Sequence, residues 1–541
     1  MPNEALQLES ASPAIIKYIK ELETRIKEIQ NNYETNIKEL ENKCEKLKLE
    51  NALLLHSRFG RSAEQLRVDS KQPQLFDNEE IKGAKGKQEE YEEVRSHKRR
   101  KCGRKTIDSS IPRVERIIDI PEEEKTCACG ARLTRTGEET SEKLQIIAPR
   151  IYVEKTIRPK YACRHCEGTE DEGKKTVRMA AVEPAIIPKS IVSPSLLSII
   201  ILQKYADHLP YFRQEKQFER IKVSISRQDM SNWQQQAYKR LRPLFDIMKE
   251  TLRSGPVMQM DETETQVMGE MTGKEKREDT LKSRMWLARG GPPGKPVVMY
   301  EYRQTRAAKN AKEIFGSFSG YLQTDGYPGY DTAVEGNTGI KLVGCFAHAR
   351  RKFFEAAKVS PNSGMAEEGM NHIKKLYVIE GKLRKRYEGK EGDTEEQKNE
   401  KIKMFTRVRQ LCAWRILKEF KEWLIKQKEV YLPSSAIGKA ISYSLGQWDK
   451  LVRYLESPYL TPDNNACENA IRPFVIGRNS WMFNKSPEGA ESSCGMYSLI
   501  QTAKANGIEP SRYLTALFEK APVVSSRTDW EKLLPWNIFK Q

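Results

Sequence analysis

Two aspartates stand where predicted strands run into turns. Asp261 lies in Met260-Asp-Glu-Thr263 toward the end of one strand, and Asp325 closes another in Leu322-Gln-Thr-Asp-Gly-Tyr327. Carboxylate oxygens suit hard divalent cations. Two magnesium ions about 4 Å apart can activate a nucleophilic oxygen, stabilise a leaving 3′ oxygen and neutralise charge at phosphorus, which is what phosphodiester exchange requires. Successive side chains on a regular strand point to opposite faces, so Asp261 and Glu262 cannot both serve one metal. A second constellation is built of sulfur. Cys127-Ala-Cys129 and Cys163-Arg-His-Cys166 form two close pairs, and two such pairs can supply four thiolates to one tetrahedral zinc, with a small β-rich unit between two knuckles. His165 is an alternative ligand, and reduced buried thiols are the alternative to a metal site.

The rest of the composition favours a polyanion. Lys and Arg number 93 against 75 Asp and Glu, a net charge of +18, which makes nucleic acid the leading partner. The run His97-Lys98-Arg99-Arg100-Lys101, with Arg104 and Lys105, can lie along phosphates or be a solvated charge run. No apolar stretch approaches the roughly 20 residues of a spanning helix, and Met1-Pro-Asn-Glu lacks the features of a signal peptide. A cytoplasmic, nucleoid-associated protein with no membrane partner is expected. Ten cysteines in 541 residues are too few for a secreted disulfide scaffold.

Several elements must position these groups. Ile15, Ile19, Leu22, Ile26, Ile29 and Tyr33, then Ile37, Leu40, Cys44, Leu47 and Leu54, trace a coiled-coil seam with one extra residue at the Tyr33 to Ile37 step. Self-association as a homodimer or higher oligomer follows, unless the helix packs on its own protein. Between Ser193 and Lys239 three helices are predicted: Ser193-Pro194 opens the first, Pro210 the second, and Ser226 with Asp229 caps the third. The arrangement is helix-turn-helix-like, with Arg227, Gln228, Ser231, Asn232 and Gln235 as groove-facing candidates; ordinary helical packing is the alternative. Val257 to Asp261, Arg284 to Ala288 and Pro296 to Tyr302 read as strands. Ala307 to Phe318 reads as a helix, Gly320 to Thr324 as a strand ending at Asp325, and Ile340 to Cys345 as a strand entering the helix of His348, Arg350 and Arg351. Three strands, helix, strand, helix, strand is the order of a ribonuclease H-like α/β fold, in which a carboxylate on the first strand lies beside one at the end of the fourth. Further on, apolar stripes at Ile373, Leu376, Leu383 and Tyr387, and at Leu411, Trp414, Leu417 and Leu424, predict a helical insertion with those residues in its core.

These segments carry a resemblance. Phe59-Gly-Arg-Ser62 after the coiled coil, Tyr161-Ala-Cys-Arg-His-Cys-Glu167, Lys204-Tyr-Ala-Asp-His-Leu-Pro-Tyr-Phe-Arg213, Leu322-Gln-Thr-Asp-Gly-Tyr327, Cys345-Phe-Ala-His-Ala-Arg-Arg-Lys-Phe353, Asn464-Asn-Ala-Cys-Glu-Asn-Ala-Ile-Arg-Pro473 and Ser498-Leu-Ile-Gln-Thr-Ala-Lys504 occur in order, and the chain resembles transposases of the insertion sequence 66 family over nearly its whole length. The resemblance implies a ribonuclease H-like core, DNA strand cleavage and transfer at element ends, and magnesium or manganese held by Asp261, Asp325 and Glu468. Two departures stand out: the first cysteine pair is tighter than in the family's usual form, and Phe346 replaces a frequent Trp.

Of the two acidic residues after the insertion, Asp463 follows Pro462 in a setting of turns and helix caps, whereas Glu468 falls on a predicted helix with Arg472 four positions on, sharing its face. Arg350, Arg351 and Arg472 are candidate phosphate contacts, and His348 a candidate accessory group for a phosphate or substrate water. The readings divide the chain into a coiled coil (12–56), a linker (57–96), a basic segment and zinc-binding domain (97–180), a helix-turn-helix-like segment (190–250), the first part of the core (256–358), a helical insertion (359–460), the last part of the core with the third carboxylate (461–506) and a C-terminal segment (507–541). Expected partners are element-end and target DNA and element-encoded helper proteins. The rivals are a nuclease of the same fold that cuts without joining and a DNA-binding regulator derived from an inactive transposase. A glycoside hydrolase also pairs carboxylates but does not explain the charge or the cysteines.

Overall fold

The computed structural model describes residues 21, 24–28, 30–33, 91–94, 97–100, 151–162, 177–268, 271–272, 275–276, 283–359, 364–389 and 392–540. Cys127, Cys129, Cys163, Cys166 and Arg104, and most of the predicted coiled coil, lie outside them. Residues 24–28 and 30–33 are helical, and the seam residues Ile26 and Tyr33 are exposed. The chain divides into two units, residues 67–182 and the remainder. In the smaller unit the strand His97–Arg100, which carries Arg99 and Arg100, pairs antiparallel with Tyr91–Val94, so the end of the predicted linker is a strand. Lys160–Ala162 pairs antiparallel with Val177–Met179.

The larger unit begins with four helices whose starts follow local chemistry. Helix α1 (Pro194–Tyr205) is capped by Ser193, whose hydroxyl accepts from the Leu196 N–H at 3.2 Å; its Leu197, Ile200, Ile201 and Tyr205 are buried. Helix α2 (Tyr211–Arg220) follows Pro210. Helix α3 (Arg227–Arg240) opens with a reciprocal capping box, in which the Asp229 N–H donates to the Ser226 hydroxyl at 3.1 Å and the Ser226 N–H to the Asp229 carboxylate at 3.3 Å. The predicted trio is present, and α3 is welded to the core: buried Gln234 accepts from the Tyr205 hydroxyl at 2.7 Å and donates to Ser492 at 2.7 Å. Helix α4 (Arg242–Arg253) leads into the sheet.

Five strands form that sheet: β1 (Val257–Thr265), β2 (Ser283–Gly290), β3 (Val297–Arg303), β4 (Gly320–Gln323) and β5 (Ile340–Val343), in the order β5-β4-β1-β2-β3. The first three are antiparallel, with Asp261 opposite Leu287, while β4 runs parallel to β1 and β5 to β4. Parallel strands need crossovers, supplied here by α5 (Ala308–Phe315) between β3 and β4 and α6 (Pro328–Val334) between β4 and β5. Helix α7 (Phe346–Val359) leaves β5. Both edges of the sheet are occupied. On β3 the Val298 N–H donates to Thr502 at 3.0 Å and the Tyr300 N–H to Ser498 at 2.9 Å, and Thr502 donates back to the Val298 carbonyl. On β5 Arg453 donates to the Leu342 carbonyl at 2.5 Å.

Between α7 and the return to the core lie α8 (Met365–Tyr387), α9 (Glu395–Val430), α10 (Ala436–Gly446) and α11 (Trp448–Val452). Their core joins Phe353, Ile373, Leu376, Leu417, Phe420, Leu424, Trp448 and Tyr454. The stripe predicted for α9 is corrected in part: Leu411 and Trp414 are 69% and 60% exposed. The buried face is Arg409, Ala413, Leu417, Phe420 and Leu424, because the guanidinium of Arg409 turns inward to bind the carbonyls of Leu460 at 3.0 Å, Tyr454 at 3.0 Å and Ser457 at 2.5 Å beside Glu380. The core resumes with α12 (Asn465–Trp481), which packs on β1 and β2, and α13 (Pro487–Ala505), which packs on β3; α14 (Pro510–Lys520) covers α1. Among the described residues no helix is long and apolar enough to cross a membrane. The core is thus a mixed α/β sheet within a largely helical chain.

Candidate active site

Asp261 is placed midway along β1, and its Oδ1 accepts the Glu262 N–H at 2.9 Å. Burial, then the charge of Glu262, then those of Glu468 and Asp325 push its carboxyl up to about 8. The three predicted carboxylates therefore share one electrostatic neighbourhood, although Glu468 is 207 positions beyond Asp261 in the chain. Asp325 follows β4, and Gly326, at φ +86°, turns the chain so that the Tyr327 N–H bonds back to Asp325 Oδ1 at 2.9 Å. That left-handed conformation favours glycine. From the insertion, the Tyr443 hydroxyl donates to the Asp325 carbonyl at 3.0 Å. Glu468 sits in the first turn of α12, where free backbone N–H groups favour a carboxylate.

One arginine and one histidine face the third carboxylate. Arg351 Nη2 is 3.4 Å from Glu468 Oε2, and His348 Nδ1 is 3.6 Å from Glu468 Oε1. Neither the His348 Nδ1 nor the Glu468 Oε1 has a hydrogen-bond partner, though both are buried. Burial lowers the pKa of His348, against the opposing pull of Glu468. The Cys345 sulfur completes a cluster whose ligand atoms lie within 4.8 Å of one another. Burial pushes its thiol up to about 12, and the sulfur accepts the Asn464 N–H at 3.3 Å, so Cys345 is a protonated packing group.

Residues that sequence reasoning missed hold this arrangement together. Asn464, fully buried, donates from Nδ2 to the Met260 carbonyl at 3.0 Å, tying the start of α12 to the residue before Asp261. Gln259 donates to Gln323 at 2.8 Å, and Gln323 to the Thr461 carbonyl at 2.8 Å, a buried amide chain from β1 through β4 to the loop before α12. Arg306 reaches Glu262, lies 3.6 Å from Asp325 Oδ2 and stacks 3.7 Å above the Tyr327 ring. The Tyr330 hydroxyl donates to Glu262 at 2.6 Å. Glu262 is thus engaged by α6 and the β3–α5 loop. A signal for Arg306 existed: it ends the connection from β3, so chain order carries it to the same end of the sheet as Asp325. Nothing in the sequence marks Asn464 apart from its neighbour Asn465. Asp463 accepts from the Asn465 N–H at 3.0 Å and from the Asn465 amide at 2.8 Å, as a residue ordering the helix start does.

The candidate DNA contacts fall in several places. Arg227, Gln228 and Asn232 are exposed on α3, with Gln228 donating to Asn232 at 2.9 Å. Arg350 is half-buried, and burial lowers its pKa. Arg351 is engaged with Glu468. Arg472 is exposed one turn beyond Glu468.

Comparison with known proteins matches most of the chain to one family. Residues 189–492 match the model of the transposase IS66 family, and residues 498–536 its C-terminal element. Residues 124–167, which include all four paired cysteines, match the zinc-finger binding domain of transposase IS66, and residues 46–116 match the model described as Transposase C of IS166 homeodomain. Relatives include the uncharacterized proteins y4jD and y4qI of Sinorhizobium fredii. The first is 30% identical over 445 residues, covering 80% of this chain and 81% of the relative; the second is 29% identical over 504 residues, covering 90% and 87%. A Drosophila P element transposase strand transfer complex aligns with a TM-score of 0.28 at 11% identity, over 57% of this chain and 92% of that one, a likeness too slight to argue from. With its central match spanning more than half of its length, the chain belongs to the IS66 transposase family.

Proposed function

We propose that this transposase cleaves DNA at element ends and joins them to a target, using divalent cations held by Asp261, Asp325 and Glu468 on a ribonuclease H-like sheet. The observation that carries the reading is the convergence of three carboxylates from β1, the end of β4 and the start of α12, with Asp261 pushed up to about 8 by burial and by its acidic neighbours. Acidic groups crowded in this way are costly where they are buried, and the Glu468 Oε1 has no hydrogen-bond partner and is free to accept a cation. The donor set, all oxygen, fits magnesium or manganese. Bound there, the cations would activate the attacking oxygen and neutralise charge on the leaving 3′ oxygen.

The chain's own residues do the rest. Arg306 and Arg351 flank the carboxylates and offer guanidinium donors to the scissile phosphate. His348, whose Nδ1 lies 3.6 Å from Glu468 Oε1, offers a proton acceptor beside the attacking water. Cleavage then forms a bond from water oxygen to phosphorus and releases the 3′ hydroxyl, and in joining that hydroxyl attacks a target phosphodiester and releases a target 3′ oxygen. Away from the centre, Cys127, Cys129, Cys163 and Cys166 are the proposed zinc ligands, and residues 12–56 the proposed self-association element. Exposed Arg227, Gln228, Asn232 and Arg472, with Arg99, Arg100 and Arg104, are the proposed DNA contacts.

Incubation of the full chain with labelled element ends, a target plasmid and magnesium tests the reading. Wild type should yield joined product, whereas Glu468→Gln, Asp261→Asn and Asp325→Asn should bind ends without cutting, and Asp463→Asn should mainly lose stability. Cut ends without joined product would assign a nuclease instead. Joining by Glu468→Gln together with a folded but inactive Asp463→Asn would move the third ligand to Asp463.

A further inference from the structure

The far end of α12 presents two large apolar side chains to solvent from a rigid base. Met482, which ends the helix, is 72% exposed, and Phe483 is 46% exposed. Met482 holds φ at +63° and ψ at −51° in a tight γ-turn, with the Phe483 N–H donating to the Trp481 carbonyl at 2.8 Å, a strained conformation for a side-chain-bearing residue, and no burial of its side chain compensates that strain. The base is fixed on both sides. Behind the turn, Trp481 packs edge-on against Tyr205 at 6.1 Å. Ahead of it, the Asn484 N–H donates to the Gln266 carbonyl at 3.0 Å and the Met268 N–H to the Asn484 carbonyl at 2.8 Å, which brings the 40% exposed Met268 alongside. Arg478 donates to Thr263 at 2.9 Å and also to the Glu264 carbonyl, clamping the last turn of α12 to β1.

The turn lies in line with the carboxylate centre. Along α12 the exposed residues are Asn469, Arg472, Ile476 and Asn479, followed by Met482 and Phe483. These steps of three and four trace one face, and Glu468 opens it. The segment from Asn469 to Lys485 contains no carboxylate, and with Arg478 held by β1 it offers Arg472 and Lys485 to a polyanion. At about 1.5 Å per residue the turn is about 20 Å from Glu468, or about six base steps at about 3.4 Å each.

We propose that Met482 and Phe483 form a wedge that stacks against unpaired bases of the bound DNA about six base pairs from the cleaved bond, with Arg472 gripping the backbone between. The inference rests on the transposase reading and adds to it a DNA-distorting site. Apolar side chains inserted at base steps unstack them and bend the duplex, and an aromatic ring stacks on a base of any identity.

The test uses the full chain and duplexes carrying the element end with 2-aminopurine, whose fluorescence rises on unstacking, placed in turn about four to eight base pairs on either side of the cleaved bond. Wild type should raise the fluorescence at one such position. The double variant Met482→Ser/Phe483→Ser should lose that rise and cut paired ends about tenfold more slowly, yet recover to within about twofold of wild type on ends mismatched at that position. Phe483→Trp, which keeps a stacking ring, should retain the rise. Equal slowing on paired and mismatched ends, or a wild type that cuts and joins with no fluorescence rise, overturns the wedge and leaves the transposase reading standing. A wild type that raises the fluorescence but cuts no end supports the wedge and overturns the proposed chemistry. Loss of oligomeric mass in the double variant would assign the patch to a second copy of the chain and overturn the wedge.

Discussion

Replacing Asp261 by Asn should stabilise the metal-free protein. The carboxyl's ordinary pKa is 3.8 and its folded value about 8. For an acid with a raised folded pKa the sign is unfavourable to the native state: nothing is lost below 3.8, stability is withdrawn as pH rises between 3.8 and about 8, and the loss is complete above that. One pH unit of such linkage is worth about 1.4 kcal/mol, so the penalty already present at pH 7 is up to about 4 kcal/mol. Asparagine keeps the size and the oxygen that accepts the Glu262 N–H while removing the charge that Glu262, Glu468 and Asp325 oppose. In EDTA at pH 7 the variant should melt at least about 4 °C above wild type, and the gap should shrink toward zero as pH falls to 4. Magnesium should narrow the gap from the other side, because a cation at ten times its dissociation constant adds about 1.4 kcal/mol to wild type and less to the variant. Calorimetric scans across this grid suffice. A variant no more stable than wild type in EDTA, or a gap indifferent to pH, would refute the argument that the carboxylates crowd one another.

The other predictions concern the supports of the site. Asn464→Leu leaves the Met260 carbonyl without its donor and should cost about 1–3 kcal/mol in urea unfolding, with cleavage impaired more than end binding because α12 loses its tie to β1. Arg409→Met takes the guanidinium from the carbonyls of Tyr454, Ser457 and Leu460 in the insertion's core, while Arg384 still reaches Glu380 at 2.7 Å and the Leu460 carbonyl at 2.8 Å, and should cost about 1–3 kcal/mol; limited proteolysis should then nick between 453 and 463, a segment that stays intact in wild type. Metal analysis of purified protein should find one zinc per chain, reduced by Cys166→Ser, with end binding affected more than the melting of the core.

Much of the architecture was legible because local rules dominated it. The helix starts at Ser193, Pro210 and Ser226 are set by residues within one turn, and the strands of the sheet were visible as apolar runs. Asp325 was legible for the same reason, since a strand followed by Gly326 has one way to end. The failures share a different cause. Arg306, Tyr330 and Asn464 act through partners between 19 and 204 positions away, and a lone arginine or asparagine in a polar stretch carries no mark of such a partner. In α9 apolar residues occur on more than one face, so periodicity alone could not say which face would be buried. The inward Arg409 chose it, excluding Leu411 and Trp414, and a charged residue is the last that a hydrophobic pattern would place at the centre of a core.

The occupied edges of the central sheet limit how copies of the chain can meet. An open edge is an invitation to strand pairing, a hazard that grows with local concentration. Here the hydroxyls of Ser498 and Thr502 satisfy β3 from a helix, and Arg453 does so for β5. Continuation of one molecule's sheet into the next would first require α13 to be pulled away, with loss of the core beneath it. Pairing through the central sheet is therefore closed to a second copy, and that sheet cannot seed a fibre while the protein is native.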